Sequence, residues 1–365
     1  MTNAPKTLNA VIETSVKVNL RQVDYSFNEM ADMYNEAELI VNPEFQRLFR
    51  WDKEKQSRFI ESLLLDMPLP PIFVIETEDY KYELIDGLQR ISTFLHFRFY
   101  NPKTRNQDDT LRLEGCDIVT ELNGKTYSDL PAALQTRLKR RPIRVQVIRK
   151  ESDNTLKYHM FKRLNTGGEI LSEQEVRNAT IRLLNDTFIN FIKSLTDNDD
   201  FNTCVSIVSD NKKEKKYIDE LVLRYYAFKN YRDNYTHAMD PFLTNYLEYV
   251  SDPSIEAAFN YEEEEDNFKR TFYLLNELAG KYAFAAYEGT ILTRRFRSLQ
   301  YDSICIGIQN HLDYIENNIT KANEIYNNMK KDEEFIELTT GGGLNYLEHL
   351  KRRIQYVNKY FIENK

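Results

Sequence analysis

Cysteine is scarce. The 365 residues hold three, Cys116, Cys204 and Cys305. They are far apart and odd in number, so they offer neither a disulfide framework nor a zinc-ligand pattern, and a reducing, cytoplasmic setting is expected. Long apolar runs are missing too. No stretch approaches the ~20 residues that cross a bilayer. Residues 1–20 contain no continuous apolar segment behind a basic start, so neither a membrane partner nor secretion is expected. Basic excess is also absent: 49 Lys and Arg stand against 57 Asp and Glu, a formal net charge of −8. Proteins that coat nucleic acid nonspecifically are usually basic, so any DNA contact must rely on a local patch. No glycine loop ends in Lys-Ser or Lys-Thr and no dinucleotide fingerprint occurs, which removes the P-loop and Rossmann readings. The five histidines (His96, His159, His237, His311, His349) show no paired spacing on a helical face. A zinc hydrolase or histidine-metal nuclease therefore has little support.

What is present is ample material for a core. Hydrophobic residues make up 41% and aromatics 13%, with 24 Tyr and 21 Phe, enough for one large domain or two ordinary ones. Ser26-Phe27-Asn28-Glu29 reads as a capping box opening a short helix with Phe27, Met30 and Met33 or Tyr34 inward. An extended segment follows from Leu39 to Arg47. Asp52 can cap a second helix whose Phe59, Ile60, Leu63 and Leu64 share a face. The run Met67-Pro68-Leu69-Pro70-Pro71 must end it. Ile72–Ile75 and Tyr82–Ile85 read as strands of a hairpin, and Ile143, Val145 and Val147 alternate as a further strand. From Ser172-Glu173-Gln174-Glu175, a second capping box, to Lys365 the period is helical. The expected fold is α+β: an α+β half over 1–180, then an all-helical domain over 181–365.

The most informative stretch is Ile85-Asp86-Gly87-Leu88-Gln89-Arg90, where a strand hands over to a helix carrying Leu88, Ile91, Leu95 and Phe99. Helix N-termini present unpaired amides and partial positive charge, which suits phosphate. On this reading Arg90 adds a bidentate clamp, Asp86 holds a metal ion or orients water, and Gln89 positions that water. The competing reading is structural: Asp86 caps the helix, Gly87 turns the chain, and Arg90 pairs with a surface carboxylate. Around Gln46, Arg47, Arg50 and Trp51 the same choice arises. The arginines approach phosphate or are solvated, and the only tryptophan covers a base or packs into the core. Arg163-Leu164-Asn165-Thr166-Gly167-Gly168 closes a helix with glycines, and its amides can also cradle an anion. A basic face at Arg137, Lys139, Arg140, Arg141 and Arg144 is the candidate DNA contact, or plain solvated charge.

Taken in order, Pro43-x-x-Gln46-Arg47-x-x-x-Trp51, then Asp86-Gly87-Leu88-Gln89-Arg90, then Phe161-x-Arg163-Leu164-Asn165-Thr166-Gly167-Gly168 and Leu171-Ser172-x-x-Glu175-x-Arg177-Asn178 resemble the GmrSD-type N-terminal domain. This is the ParB/sulfiredoxin-like domain of modification-dependent restriction and phage-defence proteins. The resemblance spans roughly residues 20 to 180. It implies nucleotide binding, and in several members NTP hydrolysis, at an Asp-Gly-Gln-Gln-Arg turn, with Asp86, Gly87, Gln89 and Arg90 in the pocket and Gln46 and Arg47 lining it. NTP with Mg2+ is the expected ligand. Leu88 departs from the pattern, standing where the family usually has its first glutamine. Full restriction members also carry a histidine-based nuclease module. No His-x-x-Pro or comparable cluster occurs here, so a separate effector or nuclease subunit is the expected partner. The alternative is a non-catalytic ParB-like module that binds DNA or a protein partner.

Overall fold

The computed structural model describes residues 7–8, 11, 19–41, 49, 51–152, 154–165, 174, 177–178, 185–288, 291–341 and 343–365. The chain forms two compact units, Met1–Ile170 and Leu171–Lys365.

The first unit is built on a five-stranded mixed sheet. Its elements are β1 (Leu20–Ser26), α1 (Phe27–Asn35), β2 (Leu39–Ile40), α2 (Lys53–Leu64), β3 (Ile72–Glu76), β4 (Tyr82–Asp86), α3 (Leu88–Arg98), α4 (Ala132–Arg140), β5 (Pro142–Ile148) and α5 (Asn154–Asn165). The strand order is β1-β5-β3-β4-β2. β3 and β4 pair antiparallel, as the hairpin reading requires, while β3 runs parallel to β5 and β2 parallel to β4. Both expected caps form: Ser26 accepts from the Glu29 amide and Asp52 from the Lys55 amide. Each satisfies an amide that the helix itself leaves unpaired. Of the inward residues expected on α1, Phe27 and Met30 are buried, whereas Met33 and Tyr34 are half-buried. β3 reads nearly continuously apolar because it lies inside the sheet; Ile72 and Val74 are fully buried. Ile143, Val145 and Val147 are buried too, and the polar residues alternating with them are not.

The second unit holds α6 (Asp186–Leu195), α7 (Asp199–Val205), α8 (Asp210–Glu214), α9 (Tyr217–Asn230), α10 (Met239–Val250), α11 (Pro253–Ala258), α12 (Tyr261–Ala279), β6 (Ala285–Glu288), β7 (Ile291–Phe296), α13 (Ser298–Gly307), α14 (Leu312–Asn317), α15 (Ile319–Lys331), α16 (Glu333–Thr339) and α17 (Leu347–Asn364). It is mainly helical, but the all-helical expectation needs correction. β6 and β7 pair as an antiparallel two-stranded sheet. Buried aromatics fill its core, and each buried tyrosine hydroxyl that packs there needs a partner. Tyr225 donates to Asn267 Oδ1 at 2.6 Å, Tyr301 to the Leu221 carbonyl at 2.7 Å and Tyr326 to the Ala283 carbonyl at 2.5 Å. Arg224 and Asp302 form a doubly hydrogen-bonded ion pair inside this core. The three cysteines are buried free thiols. Among the described residues no helix is long and apolar enough to cross a membrane.

Candidate functional site

The corner between β4 and α3 is set by its glycine. Gly87 has φ +113°, a region that L side chains rarely adopt, and serves as the residue preceding the first helical turn. A Cβ placed there would lie 2.8 Å from Ile72 Cγ1, and Ile72 is itself fully buried on the neighbouring strand. Backbone dihedral and packing therefore both demand glycine. Gly87→Ala is expected to destabilise the protein by about 1–3 kcal/mol. Urea denaturation of the variant checks it, and a loss under 0.5 kcal/mol would contradict the argument.

The strand reaches this corner through a bulge. Phe73 pairs with Asp86 and Val74 with Leu84, so the register shifts one residue before the turn. Bulges re-aim the side chains beside them. Asp86 ends β4 with its side chain 39% exposed, and no side chain of the described residues caps α3. The first backbone bond of the helix runs from the Ile91 amide to the Gly87 carbonyl.

Arg90 does not face outward as a phosphate clamp. Its side chain is 10% exposed, and Nη2 donates to Asp86 Oδ2 at 2.5 Å, one turn back along the chain. Nη1 donates to the carbonyls of Pro70 and Pro71. Those prolines end the segment that α2 feeds into β3. The guanidinium thus ties three pieces of chain together, and the structural reading fits it, with Asp86 as the carboxylate partner. Asp86 keeps Oδ1 without a hydrogen-bond partner among the described residues. Arg90 holds that carboxylate in one orientation at the open end of the helix.

Gln89 has a bracing contact too: its Oε1 accepts from the Trp51 amide at 3.1 Å. Gln56 Nε2 donates to the Trp51 carbonyl at 2.7 Å, and Gln56 Oε1 accepts from His96 Nδ1 at 2.7 Å. Both backbone groups of Trp51 are therefore fastened to α2 and α3. His96 is buried, and burial pushes its pKa below the ordinary histidine value, which favours the neutral ring, in this bond as the tautomer carrying its proton on Nδ1. Sequence reasoning missed Gln56 and His96. The signal for His96 was its spacing of seven from Gln89, two helical turns along one face. The Trp51 ring is half-buried and packs edge-on against buried Phe59, with centroids 5.5 Å apart.

Gln46, Arg47, Arg50, Thr166 and Gly167 lie outside the described residues. Arg163 is exposed on α5; Asn165 ends that helix. On the basic face, Arg137 and Arg141 share Asp66 at 2.5 and 2.8 Å, and Arg144 pairs with Asp24 at 3.1 Å. Lys139 and Arg140 have no carboxylate partner among the described residues.

Residues 29–182 match the family model of the GmrSD restriction endonuclease N-terminal domain. This segment is a GmrSD-type N-terminal domain. The β4–α3 corner falls inside it, as do the Trp51 brace and the basic face. Most of the helical unit lies beyond the match. No match was found among curated proteins or among solved structures. The GmrSD-type domain associates the chain with restriction and phage defence.

Proposed function

We propose that this restriction-type defence protein binds a nucleoside triphosphate with Mg2+ at the Asp86–Arg90 corner of its GmrSD-type domain and hydrolyses it. The observation that carries this reading is the half-exposed Asp86 carboxylate, oriented by a buried guanidinium, at the mouth of a helix that no described side chain caps. Helix N-termini attract phosphate through aligned amides and the helix dipole. Mg2+ is commonly held by one or two carboxylates together with substrate phosphates and water, so a single carboxylate with one oxygen unengaged fits it. Asp86 is the residue that would hold the ion, and the ion would neutralise charge on the phosphates. With Arg90 engaged internally, the cationic contacts fall to Arg47, Arg50 and Arg163. Gln89 acts through Trp51, whose backbone it holds against α3.

Thermal melting of the full chain with each of four NTPs and Mg2+ tests the reading. A ligand at 100 times its Kd stabilises by roughly 2.7 kcal/mol, so at least one NTP is expected to raise the Tm by several degrees. No shift with any of them would sink the proposal. DNA cleavage is assigned outside these 365 residues, to another segment or to a partner subunit.

A second reading is contact with duplex DNA through the α4 face. It is favoured by Lys139 and Arg140, whose charges no described carboxylate offsets. The pairs at Arg137 and Arg144 are solvent-exposed on both sides, and exposed pairs are worth little, so they yield readily to phosphate, whereas Arg141 is mostly covered and also bound to the Met67 carbonyl. On this reading the double substitution Lys139→Ala/Arg140→Ala lowers the slope of log affinity against log salt by about 2. An unchanged slope in a salt titration removes this face as the site.

A further inference from the structure

We propose that the helical unit binds a small oxyanion, a carboxylate or phosphate group, in a cavity beneath the β6–β7 hairpin, on the ammonium of Lys330. The cavity measures about 120 Å³, and Tyr282, Tyr287, Leu292, Asn327 and Lys330 contribute to its wall. That is room for several water-sized groups.

Lysine is almost never fully buried unless it is paired. Lys330 is 2% exposed, and no carboxylate lies within ion-pair distance of it among the described residues. Its Nζ donates to the carbonyls of Tyr282 at 2.6 Å and Ala283 at 3.1 Å, which leaves one of three N–H donors. Carbonyls solvate an ammonium but do not neutralise it. The surrounding charges do not help. The Tyr326 ring, 5.7 Å away on the same helix, attracts the cation without neutralising it, while Lys331 lies over Tyr287 and Lys281 over Tyr282. The two neighbouring lysines add positive potential and no counter-charge. Burial accordingly pushes the Lys330 pKa down to about 7. An uncompensated buried cation is costly, and it coincides here with a space large enough to admit its counter-ion. Tyr282 and Tyr287 line the same space, while Asn327 Nδ2 is held by the Asn323 carbonyl and Oδ1 at 2.9 Å, so Lys330 is the cationic donor of this wall.

Proton linkage gives the proposal a signature that a merely structural lysine lacks. A bound anion favours the charged amine, so binding takes up a proton near neutral pH and weakens as pH rises above about 7. The experiment is calorimetric titration of the full chain with sodium acetate and, separately, inorganic phosphate, at fixed ionic strength and at pH 6 and pH 8.5. Saturable binding of at least one probe at pH 6, at least tenfold weaker at pH 8.5, is expected, and the two probes distinguish a carboxylate site from a phosphate site. Lys330→Met should abolish it. Leu292→Trp, which fills the cavity from the hairpin side while keeping the lysine, should abolish it as well, and serves if Lys330→Met does not fold. Absence of saturable binding by both probes, or binding retained undiminished in either folded variant, overturns the proposal. Inorganic phosphate also suits the NTP site of the first unit, so the readout for this cavity is the binding lost on Lys330→Met and on Leu292→Trp.

Discussion

Asp86→Ala is expected to lose at least a hundredfold in NTP hydrolysis while the protein stays folded. Among the described residues of the β4–α3 corner, Asp86 is the carboxylate with an oxygen still available for chemistry. Groups that orient water, a proton or a metal in the reacting complex typically contribute roughly 10²–10⁴ in rate. Its side chain is partly exposed, so removal leaves no large cavity. The cost falls on Arg90, which retains the Pro70 and Pro71 carbonyls as acceptors. Phosphate release under saturating NTP and Mg2+, beside a urea melt, checks both halves of the expectation. Hydrolysis at the wild-type rate would remove Asp86 from the mechanism. Arg90→Ala differs in kind. It strands two carbonyls and unties the carboxylate, so it should lower stability and activity together, whereas an external clamp would affect activity alone.

The largest stability effect is expected at Asp302→Ala, a loss of about 3–5 kcal/mol. Arg224 donates from Nε to Asp302 Oδ1 at 3.0 Å and from Nη2 to Oδ2 at 2.5 Å, and the Asp302 side chain is 1% exposed. Burial opposes the guanidinium charge, but Asp302, Tyr217 and Glu220 together outweigh it and hold the Arg224 pKa well above the ordinary value. Removing the carboxylate leaves that charge in the core with Glu220, at 3.4 Å, as its remaining carboxylate neighbour among the described residues. For a unit of this size, each kcal/mol moves Tm by roughly 2–4 °C, so a drop on the order of 10 °C is expected in calorimetry. Replacing both partners, Arg224→Met with Asp302→Leu, should cost much less, because no charge is then stranded. If Asp302→Ala alone melts within 2 °C of the parent, the pair is not the constraint described.

Much of the first unit is legible in the chain. Ser26 and Asp52 announce helix starts, the prolines at 68, 70 and 71 end a helix, and Asp86-Gly87 marks the corner. Each of these acts on backbone within a few residues, so local sequence suffices. The family signature is equally local, a set of short motifs in order.

Side-chain direction is another matter. Arg90 turns inward because the fold brings the Pro70 and Pro71 carbonyls beside Asp86, and a reading one turn long does not contain those acceptors. Asp66 meets Arg137 and Arg141 only because α2 and α4 pack in the same unit, so the basic face loses charge that composition alone would grant it. Lys330 and the Arg224–Asp302 pair sit among strongly helical stretches, where surface and interior positions look alike until neighbours arrive. The β6–β7 hairpin had a signal, a two-residue gap beginning with Gly289 between β-prone runs, but helical periodicity on either side outweighed it. Local chemistry fixed where the elements begin and end and which family motif they carry. Which charges are buried, paired or left open depended on long-range packing, because desolvation is set by whatever covers a group and not by its neighbours in sequence.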